Sequence, residues 1–249
     1  MAISIGSTIK TMSGKRKVVK LDIETADTFY YVSRESSDRF SVKPYVMHTA
    51  LYYALGILPS RFRCEEQIPF YDEDKKEIRD LYIHPAISKK IRGYQTRRFA
   101  VKGDSYRTRS ERMNRNLMET GYQKSMLPAS TFRTYMVSKG GVKITNLLEE
   151  SPFYVRLGKK MTSARVQLVD LGRFEVEEGE FKLSQPVSTK DLDFDDEYAL
   201  LSNLRWERMN PVDLLIEGKL SGPHISFTVS RGEGEESLEL PADAKFLSY

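Results

Sequence analysis

The stretch 131-TFRTYMV-137 predicts a β-strand, because aromatic and β-branched residues alternate with polar ones along it. Gly140 and Gly141 follow and predict the turn that closes this strand. The same character recurs in 18-VVKLDI-23, 153-FYVRL-157 and 164-ARVQLVDL-171, and around 211–217 and 225–229. Strands therefore outnumber helices, which favours an α+β fold in which a sheet is backed by one or two helices.

One segment, 44–56, predicts a helix. Pro44 suits a first helical position, and Gly56 stands where a helix commonly ends. The apolar side chains that fall on one stripe at helical spacing are Met47, Ala50, Leu51, Ala54 and Leu55. We expect this stripe to pack against a sheet, with Tyr45, Tyr52 and Tyr53 in the core or at its edge.

The segment 89–133, which runs into the first strand quoted, is strongly basic. It holds twelve Lys and Arg and three acids, a net charge of +9, whereas the whole chain carries +4. Tyr94, Phe99, Tyr106 and Tyr122 lie among these cations. Cations with interleaved aromatics suit a phosphate backbone whose bases stack on side chains, and a solvated basic face is the alternative.

Within this basic segment, 102–124 has few large aliphatic residues. Such a stretch buries little on its own, so we expect a long thumb-like insertion that a partner orders. By contrast, 170–200 holds ten acids and three cations, a net charge of −7. That acidic region is consistent both with a docking surface for basic neighbours and with a plain solvated edge.

Length and composition favour a single globular protein. A chain of 249 residues fits one elaborated domain, which we take as 1–249 with a C-terminal β-rich extension over 170–249. No apolar run approaches the roughly 20 residues of a membrane helix, and the first 20 residues lack a signal-peptide pattern. We therefore expect a cytoplasmic protein with no membrane partner.

Residues for metal or nucleophilic chemistry are few. Cys64 is the only cysteine, which excludes an intramolecular disulfide and a thiolate metal cluster. His48, His84 and His224 are scattered and lack ligand spacing, and neither a GxGxxG motif nor a P-loop occurs. The sequence predicts no metal, no cofactor and no catalytic residue.

Five segments in collinear order resemble motifs of one family. They are 32-VSRE-35 (family T-R-E), 45-YVMHTALYYALG-56 (Y-L-H-N-Y-A-L-x-Y-A-L-G), 81-LYIHPA-86 (L-Y-V-T-P-A), 127-LPASTF-132 (L-A-P-G-S-x-F) and 153-FYVRLGKKMTSA-164 (W-I-R-L-G-K-W-M-S-K-A). Thr49 and Ala129 stand where the family has asparagine and glycine. By this resemblance the chain is identified as a member of the 5′-handle-binding family (Csc/Cas-five type) of type I-D CRISPR-associated RAMP proteins.

The resemblance implies a RAMP protein with a ferredoxin-like, RRM-related core and a subunit role in a Cascade surveillance complex. Such a subunit grips the 5′ handle of the CRISPR RNA and ends the row of backbone RAMP subunits. It touches the large subunit near the place where the protospacer-adjacent motif of target DNA is read. Guide processing belongs to a separate subunit in type I-D systems, so the resemblance implies no catalytic activity here.

The predicted RNA-binding residues are cations for phosphates and two tyrosines that wedge or stack a base. They are Arg34, Arg97, Arg98, Lys102, Tyr106, Arg107, Arg109, Arg112, Arg115, Tyr122, Arg156, Lys159 and Lys160. Gly158 permits a close backbone approach beside these last cations, or else forms a structural turn or a contact to a neighbouring subunit. Two other functions stay open: a metal-independent endoribonuclease that processes CRISPR repeat RNA, and a protein-only adaptor whose basic segment docks an acidic partner.

Overall fold

A computed structural model describes most of the secondary structure of the chain. The described residues are 14–31, 34–36, 39–59, 62–63, 68–69, 74, 78, 80–101, 119–139, 142–158, 162–209, 212–231 and 234–245. Most of the described residues with regular structure are in strands. Two α-helices lie wholly within the described residues: α1 (His48–Ala54) and α2 (Val142–Glu150). The α+β class predicted from the sequence is confirmed. Neither helix is long and apolar enough to cross a bilayer.

A seven-stranded antiparallel sheet forms the centre of the fold. From one edge its strands are β12 (Phe153–Leu157), β13 (Thr162–Glu175), β1 (Lys15–Thr25), β11 (Thr131–Ser138), β8 (Ala86–Lys90) and β4 (Tyr45–Val46), with β7 (Leu81–Ile83) also paired to β11. All four long strands predicted from the sequence are confirmed in this sheet. Strand β1 is central because both of its edges are paired, to β11 and to β13.

Both helices cover the same face of this sheet. Alternate residues of β1, among them Leu21 and Ile23, are buried in one core cluster with Leu51 of α1 and Ile144 of α2. The period of two in a strand sends Asp22 and Glu24 to the opposite face. One side of the sheet is therefore apolar and covered by the helices, and we call the other side, which carries these acids, the polar side.

Helix α1 begins later than the sequence predicted. Its N-cap is Met47, not a residue near Pro44. Tyr45 and Val46 form β4 instead and pair with β8, and the Pro44 carbonyl accepts a hydrogen bond from the Ser88 amide at 2.9 Å. Pairing with the sheet therefore overrides the local start signal.

Helix α2 was not predicted. Its Ile144, Leu147 and Leu148 follow helical spacing and pack on the core. The segment is only 9 residues long and begins with β-branched residues, which weakens its helical signal.

A second sheet is built on one long strand. Strand β17 (Leu214–Arg231) pairs with β14 (Glu177–Lys182), β15 (Val187–Ser188), β16 (Ala199–Glu207) and β18 (Gly234–Pro241). The sequence predicted two separate strands in its place. A 3-10 turn, Thr189–Asp191, follows β15.

This second sheet packs on part of the polar side of the central sheet. Val18 and Tyr135 of the central sheet share a buried cluster with Ile225, Phe227 and Leu240. Arg16 Nη2 reaches Asp243 Oδ1 at 2.7 Å, with both side chains less than a tenth exposed. The two sheets are thus joined by an apolar cluster and a buried ion pair.

Acids of the region 170–200 are largely engaged within the chain. Asp170 pairs with Lys17 at 3.0 Å, Glu197 pairs with Lys245 at 3.0 Å, and Glu180 pairs with Lys219. Bonds from Lys17 and the Gly172 amide, opposed by desolvation, lower the pKa of Asp170. These acids therefore neutralise the protein's own cations.

Two smaller sheets complete the described strands. Strands β2 (Arg34–Ser36), β3 (Arg39–Ser41), β10 (Glu119–Met126) and β9 (Tyr94–Val101) form one in that order, and β5 (Phe62–Arg63) pairs with β6 (Ile68–Pro69). Residues 119–124, which the sequence placed in the thumb-like insertion, lie on β10. The rest of that insertion, 102–118, lies outside the described residues.

Candidate nucleic-acid interface

The four-stranded sheet carries the predicted RNA-binding residues of the basic segment that the structure describes. Arg97 and Arg98 lie on β9 and Tyr122 lies on β10, which together form an antiparallel hairpin. Arg34 lies on β2, which is joined to this hairpin through β3. Residues far apart in the sequence therefore belong to one sheet.

One face of the β9–β10 hairpin combines aromatic and cationic side chains. Directly opposed residues of paired strands share a face, as do alternate residues along one strand. In the observed register Arg98 is opposite Tyr122 and Thr96 is opposite Lys124. Tyr94 lies two residues before Thr96, so it shares their side. We call Tyr94, Thr96, Arg98, Tyr122 and Lys124 the hairpin face.

The two tyrosines of the hairpin face are open to solvent. Tyr94 is 42% exposed and Tyr122 is 41% exposed. Lys124 Nζ lies 3.9 Å from the centroid of the Tyr94 ring, a cation–π contact. Desolvation raises the pKa of Tyr94 against the opposing effect of Lys43, so its phenol keeps its proton at neutral pH. Exposed neutral rings between cations provide surfaces for base stacking beside charges for phosphates.

Arg97 belongs to the other side of the hairpin. It shares that side with Gln95, Gln123 and Ser125, and Gln123 Nε2 donates to Ser125 Oγ at 2.9 Å. Arg97 and Arg98, predicted together from the sequence, therefore face opposite directions. The exposed rings of Tyr94 and Tyr122 lie on the hairpin face, and Gln95, Gln123 and Ser125 lie beside Arg97.

Arg156 lies on the central sheet, and the turn after it contacts the segment that leads to β2. Gly158 has φ +74°, and a Cβ there would lie 2.4 Å from the Tyr30 carbonyl oxygen. Phe29, next to Tyr30, forms a bridge with Met126 at the end of β10. The close approach predicted at Gly158 is thus made to the chain's own backbone, which supports the structural-turn alternative.

The remaining predicted site residues stay predictions. The structure does not describe Lys102, Tyr106, Arg107, Arg109, Arg112, Arg115, Lys159 and Lys160, nor the side chain of Arg34.

Three candidate residues were not selected from the sequence. Tyr94, which is exposed, and Lys124, which is half-buried, complete the hairpin face. Tyr154, on β12 two residues before Arg156, is 69% exposed. The available signal was the period of two in 94–98, which places Tyr94 on the same side as Arg98 once a strand is assumed.

A buried polar cluster joins α1 to the 3-10 turn. His48 Nε2 lies 3.0 Å from Asp191 Oδ2, and the Tyr82 hydroxyl donates to the same oxygen at 2.8 Å. The His84 ring lies beside Tyr82, with Nδ1 3.3 Å from the Pro186 carbonyl oxygen. Burial lowers the pKa of His84 to about 4, so it is neutral at neutral pH.

This cluster is closed to solvent, since His48, His84 and Asp191 are at most 1% exposed. The third histidine, His224, is 5% exposed and stacks on Phe181. All three imidazoles therefore lie away from the surface that an RNA strand can reach. Among the described residues, no group of three or more His, Cys, Asp or Glu is placed to hold a metal ion.

Comparison with known proteins yields one family and several distant structures. A family model described as type I-D CRISPR-associated protein Cas5/Csc1 matches residues 16–249. A cryo-EM structure of the type III-B Cmr-beta bound to cognate target RNA is similar at 11% identity and a TM-score of 0.41. That match covers 63% of this chain and 61% of the other, so the chain spans less than two thirds of that protein.

Two further structures match over more of their length. A chain of the type III-B Cmr-beta bound to cognate target RNA and AMPPnP, state 1, is 12% identical with a TM-score of 0.43, over 82% of this chain and 86% of that one. A CRISPR protein from Archaeoglobus fulgidus is 16% identical with a TM-score of 0.39, over 89% of this chain and 98% of that one. No curated protein matches the sequence.

Proposed function

The chain belongs to the type I-D CRISPR-associated Cas5/Csc1 family, and from this premise we propose that it is a non-catalytic, RNA-binding subunit of a type I-D CRISPR effector complex. It grips the 5′ handle of the CRISPR RNA and caps the row of backbone subunits in the cytoplasm. Its other partners are the large subunit and, in the assembled complex, target DNA near the protospacer-adjacent motif.

The hairpin face is the observation that carries this proposal. Tyr94 and Tyr122 expose about two fifths of their surface each, between Arg98 and Lys124 on one side of a hairpin. An exposed aromatic ring stacks on any base, and a neighbouring cation neutralises the adjoining phosphate. This composition, rings for bases beside cations for phosphates, fits single-stranded RNA.

The topology supports the finer features of the fold that we propose. Strands β13, β1, β11 and β8 are adjacent in that order, α1 lies between β1 and β8 in sequence, and α2 lies between β11 and β13. This order supports the proposed ferredoxin-like core. The β9–β10 hairpin flanks 102–118 on both sides, which supports our proposal that 102–124 is a thumb over the guide with the hairpin at its base.

Burial of the histidines supports a non-catalytic role. Metal-independent RNA cleavage needs a general acid or base within reach of a phosphodiester. His48, His84 and His224 are each at most 5% exposed, and burial depresses the pKa of His84 to about 4. The endoribonuclease alternative would therefore depend on residues other than histidine.

Binding of a handle RNA to the purified chain tests the proposal. Fluorescence anisotropy compares the wild type with Arg98→Ala, Tyr122→Ala and the double variant. Arg173→Ala is a matched control, since Arg173 is exposed near the far end of β1, opposite Lys17. We expect Tyr122→Ala to weaken binding about tenfold, Arg98→Ala to lower the slope of log K against log salt by about 0.7, and the control to change neither.

Equal affinity in the double variant and the wild type would contradict the assignment of the hairpin face. Incubation with CRISPR repeat RNA in the absence of metal distinguishes a subunit that only binds RNA from one that cleaves it. We expect intact RNA, and site-specific cleavage would favour the nuclease instead. Nuclease treatment of the purified complex tests the adaptor alternative, because a protein-only interface survives loss of the RNA.

A further inference from the structure

The uncovered corner of the central sheet presents two rows of side chains. Across four adjacent strands the first row is Tyr154, Arg165, Glu24 and Thr131. The second row, two residues along, is Gln167, Asp22 and Arg133. Adjacent strands lie about 4.8 Å apart, so the first row extends over roughly 14 Å.

A pocket of about 230 Å³ lies against this corner, lined by both rows apart from Tyr154, and also by Lys89. Tyr154 lies beside the pocket as the cross-strand neighbour of Arg165. We call Tyr154, Arg165, Glu24 and Gln167 the open-face residues. They lie on the side opposite the helices, since Asp22 and Glu24 alternate with the core residues Leu21 and Ile23. The pocket is therefore an accessible site with charged side chains outside the hairpin face.

The charges of this pocket are only partly engaged. Arg133 Nε lies 2.6 Å from Asp22 Oδ1, and Lys20 lies 3.5 Å from the other oxygen of Asp22. In contrast, Arg165, Glu24 and Gln167 make no side-chain hydrogen bond or ion pair with any residue that the structure describes, although Arg165 and Glu24 are cross-strand neighbours. Most acids of the second sheet are paired, so unpaired groups here indicate a surface available to a ligand.

We propose that the open-face residues form a second RNA subsite that takes one unpaired nucleotide. Its base stacks on Tyr154, its phosphate contacts Arg165, and its ribose 2′-hydroxyl donates to Glu24 or Gln167. This inference rests on the proposed RNA-binding function and adds a site to it. The Tyr154 ring next to Arg165 reproduces the pairing of ring and cation found on the hairpin face.

The acids select among ligands. A sugar hydroxyl can donate a hydrogen bond to Asp22 or Glu24, so these carboxylates favour a nucleotide over a free phosphate. A protein partner is disfavoured as well, because the exposed side chains that line the pocket are charged or polar, and its apolar residues Ile23 and Phe132 are buried. RNA is favoured over DNA, since only RNA has the 2′-hydroxyl.

Photocrosslinking in the assembled complex, with guide RNA containing 4-thiouridine in the handle, tests the site. Mass spectrometry identifies the crosslinked peptide, which we expect to include position 154 in the wild type and in Tyr154→Phe, whereas the crosslink at this position is lost in Tyr154→Ala. Absence of any crosslink to the open-face residues in the wild type would overturn the proposal.

Affinity measurements with the full chain give an independent readout. We expect Tyr154→Ala to bind handle RNA about tenfold more weakly and Tyr154→Phe to bind normally. Arg165→Ala should lower the slope of log K against log salt by about 0.7, and Arg165→Lys should keep the wild-type slope. Arg173→Ala, on the same strand, is the control. DNA of the same sequence binds more weakly than RNA, and Glu24→Ala with Gln167→Ala removes this preference. Equal binding of RNA and DNA by the wild type would refute the sugar contact.

The two proposals fail differently. If Tyr154→Ala and Arg165→Ala bind normally while the Arg98 and Tyr122 variants lose RNA, the second subsite is wrong and the proposed function stands. If neither set of variants changes binding, both are wrong. Thermal unfolding of each variant controls for folding, and exposed Tyr154 and Arg165 are expected to leave the midpoint within a few degrees.

Discussion

Substitution of Gly158 by alanine is expected to destabilise the protein more than its backbone conformation alone explains. Gly158 has φ +74°, and a residue with a Cβ in this region costs about 1 kcal/mol relative to glycine. The new Cβ would also lie 2.4 Å from the Tyr30 carbonyl oxygen and 3.0 Å from Phe29 Cε2. A backbone oxygen cannot rotate away, so the turn must shift, and overpacking of this kind costs roughly 1–3 kcal/mol.

We therefore expect the free energy of unfolding to fall by about 2–4 kcal/mol in Gly158→Ala. The matched control is Gly56→Ala, because Gly56 has a similar φ of +66° but nothing within 4 Å of its ideal Cβ position. That variant isolates the conformational cost of about 1 kcal/mol. Urea unfolding followed by circular dichroism gives both values.

Equal losses in the two glycine variants would refute the reasoning, because they would show that the contact with Tyr30 contributes nothing. Handle-RNA affinity gives a second readout. The displaced turn separates Arg156 from the segment that leads to β2, so we expect Gly158→Ala to bind RNA more weakly and Gly56→Ala to bind normally.

Three further predictions concern buried polar groups. Asp191→Ala leaves the Tyr82 hydroxyl and His48 Nε2 without their buried carboxylate. We expect this variant to lower the free energy of unfolding, measured by urea titration, by about 3–5 kcal/mol. Asp191→Asn should lower it less. Burial lowers the pKa of His84 to about 4, so the unfolded chain binds a proton that the folded chain does not. The free energy of unfolding is therefore expected to be highest above about pH 6.5 and to fall by roughly 3 kcal/mol as the pH is lowered to 4. In His84→Gln the urea midpoint should depend less on pH across this range. Arg16→Met removes the 2.7 Å ion pair with Asp243, and we expect it to lower the free energy of unfolding by about 3–5 kcal/mol. An unchanged Tm in this variant would contradict this expectation.

Strands with strong local patterns were predictable. The stretches 18–23 and 131–137 are rich in β-branched or aromatic residues, and their strands were located correctly. Helix α1 was predicted too long, because Pro44 is a local signal, whereas the pairing of Tyr45 and Val46 with β8 is a tertiary contact. A single sequence does not show which distant segments pair.

In the candidate site, too, local composition was predictable and pairing between distant segments was not. The cations and aromatics of the basic segment were recognised from composition, but the division between Arg97 and Arg98 depends on the register with β10. The pairing of His48 with Asp191 joins residues that are more than one hundred positions apart in the sequence. Local spacing carries no signal for such a contact.

The ion pair between Arg16 and Asp243 has a consequence for biosynthesis. Its partners are 227 positions apart in the chain, and β1, which carries Arg16, takes both neighbours from residues beyond 130. During translation β1 is synthesised before β11 and β13, and it cannot pair with either strand until that strand has been made. Because such non-local pairing is slow, the sheet closes only after β13 has been synthesised, and guide RNA cannot bind a folded core before that point.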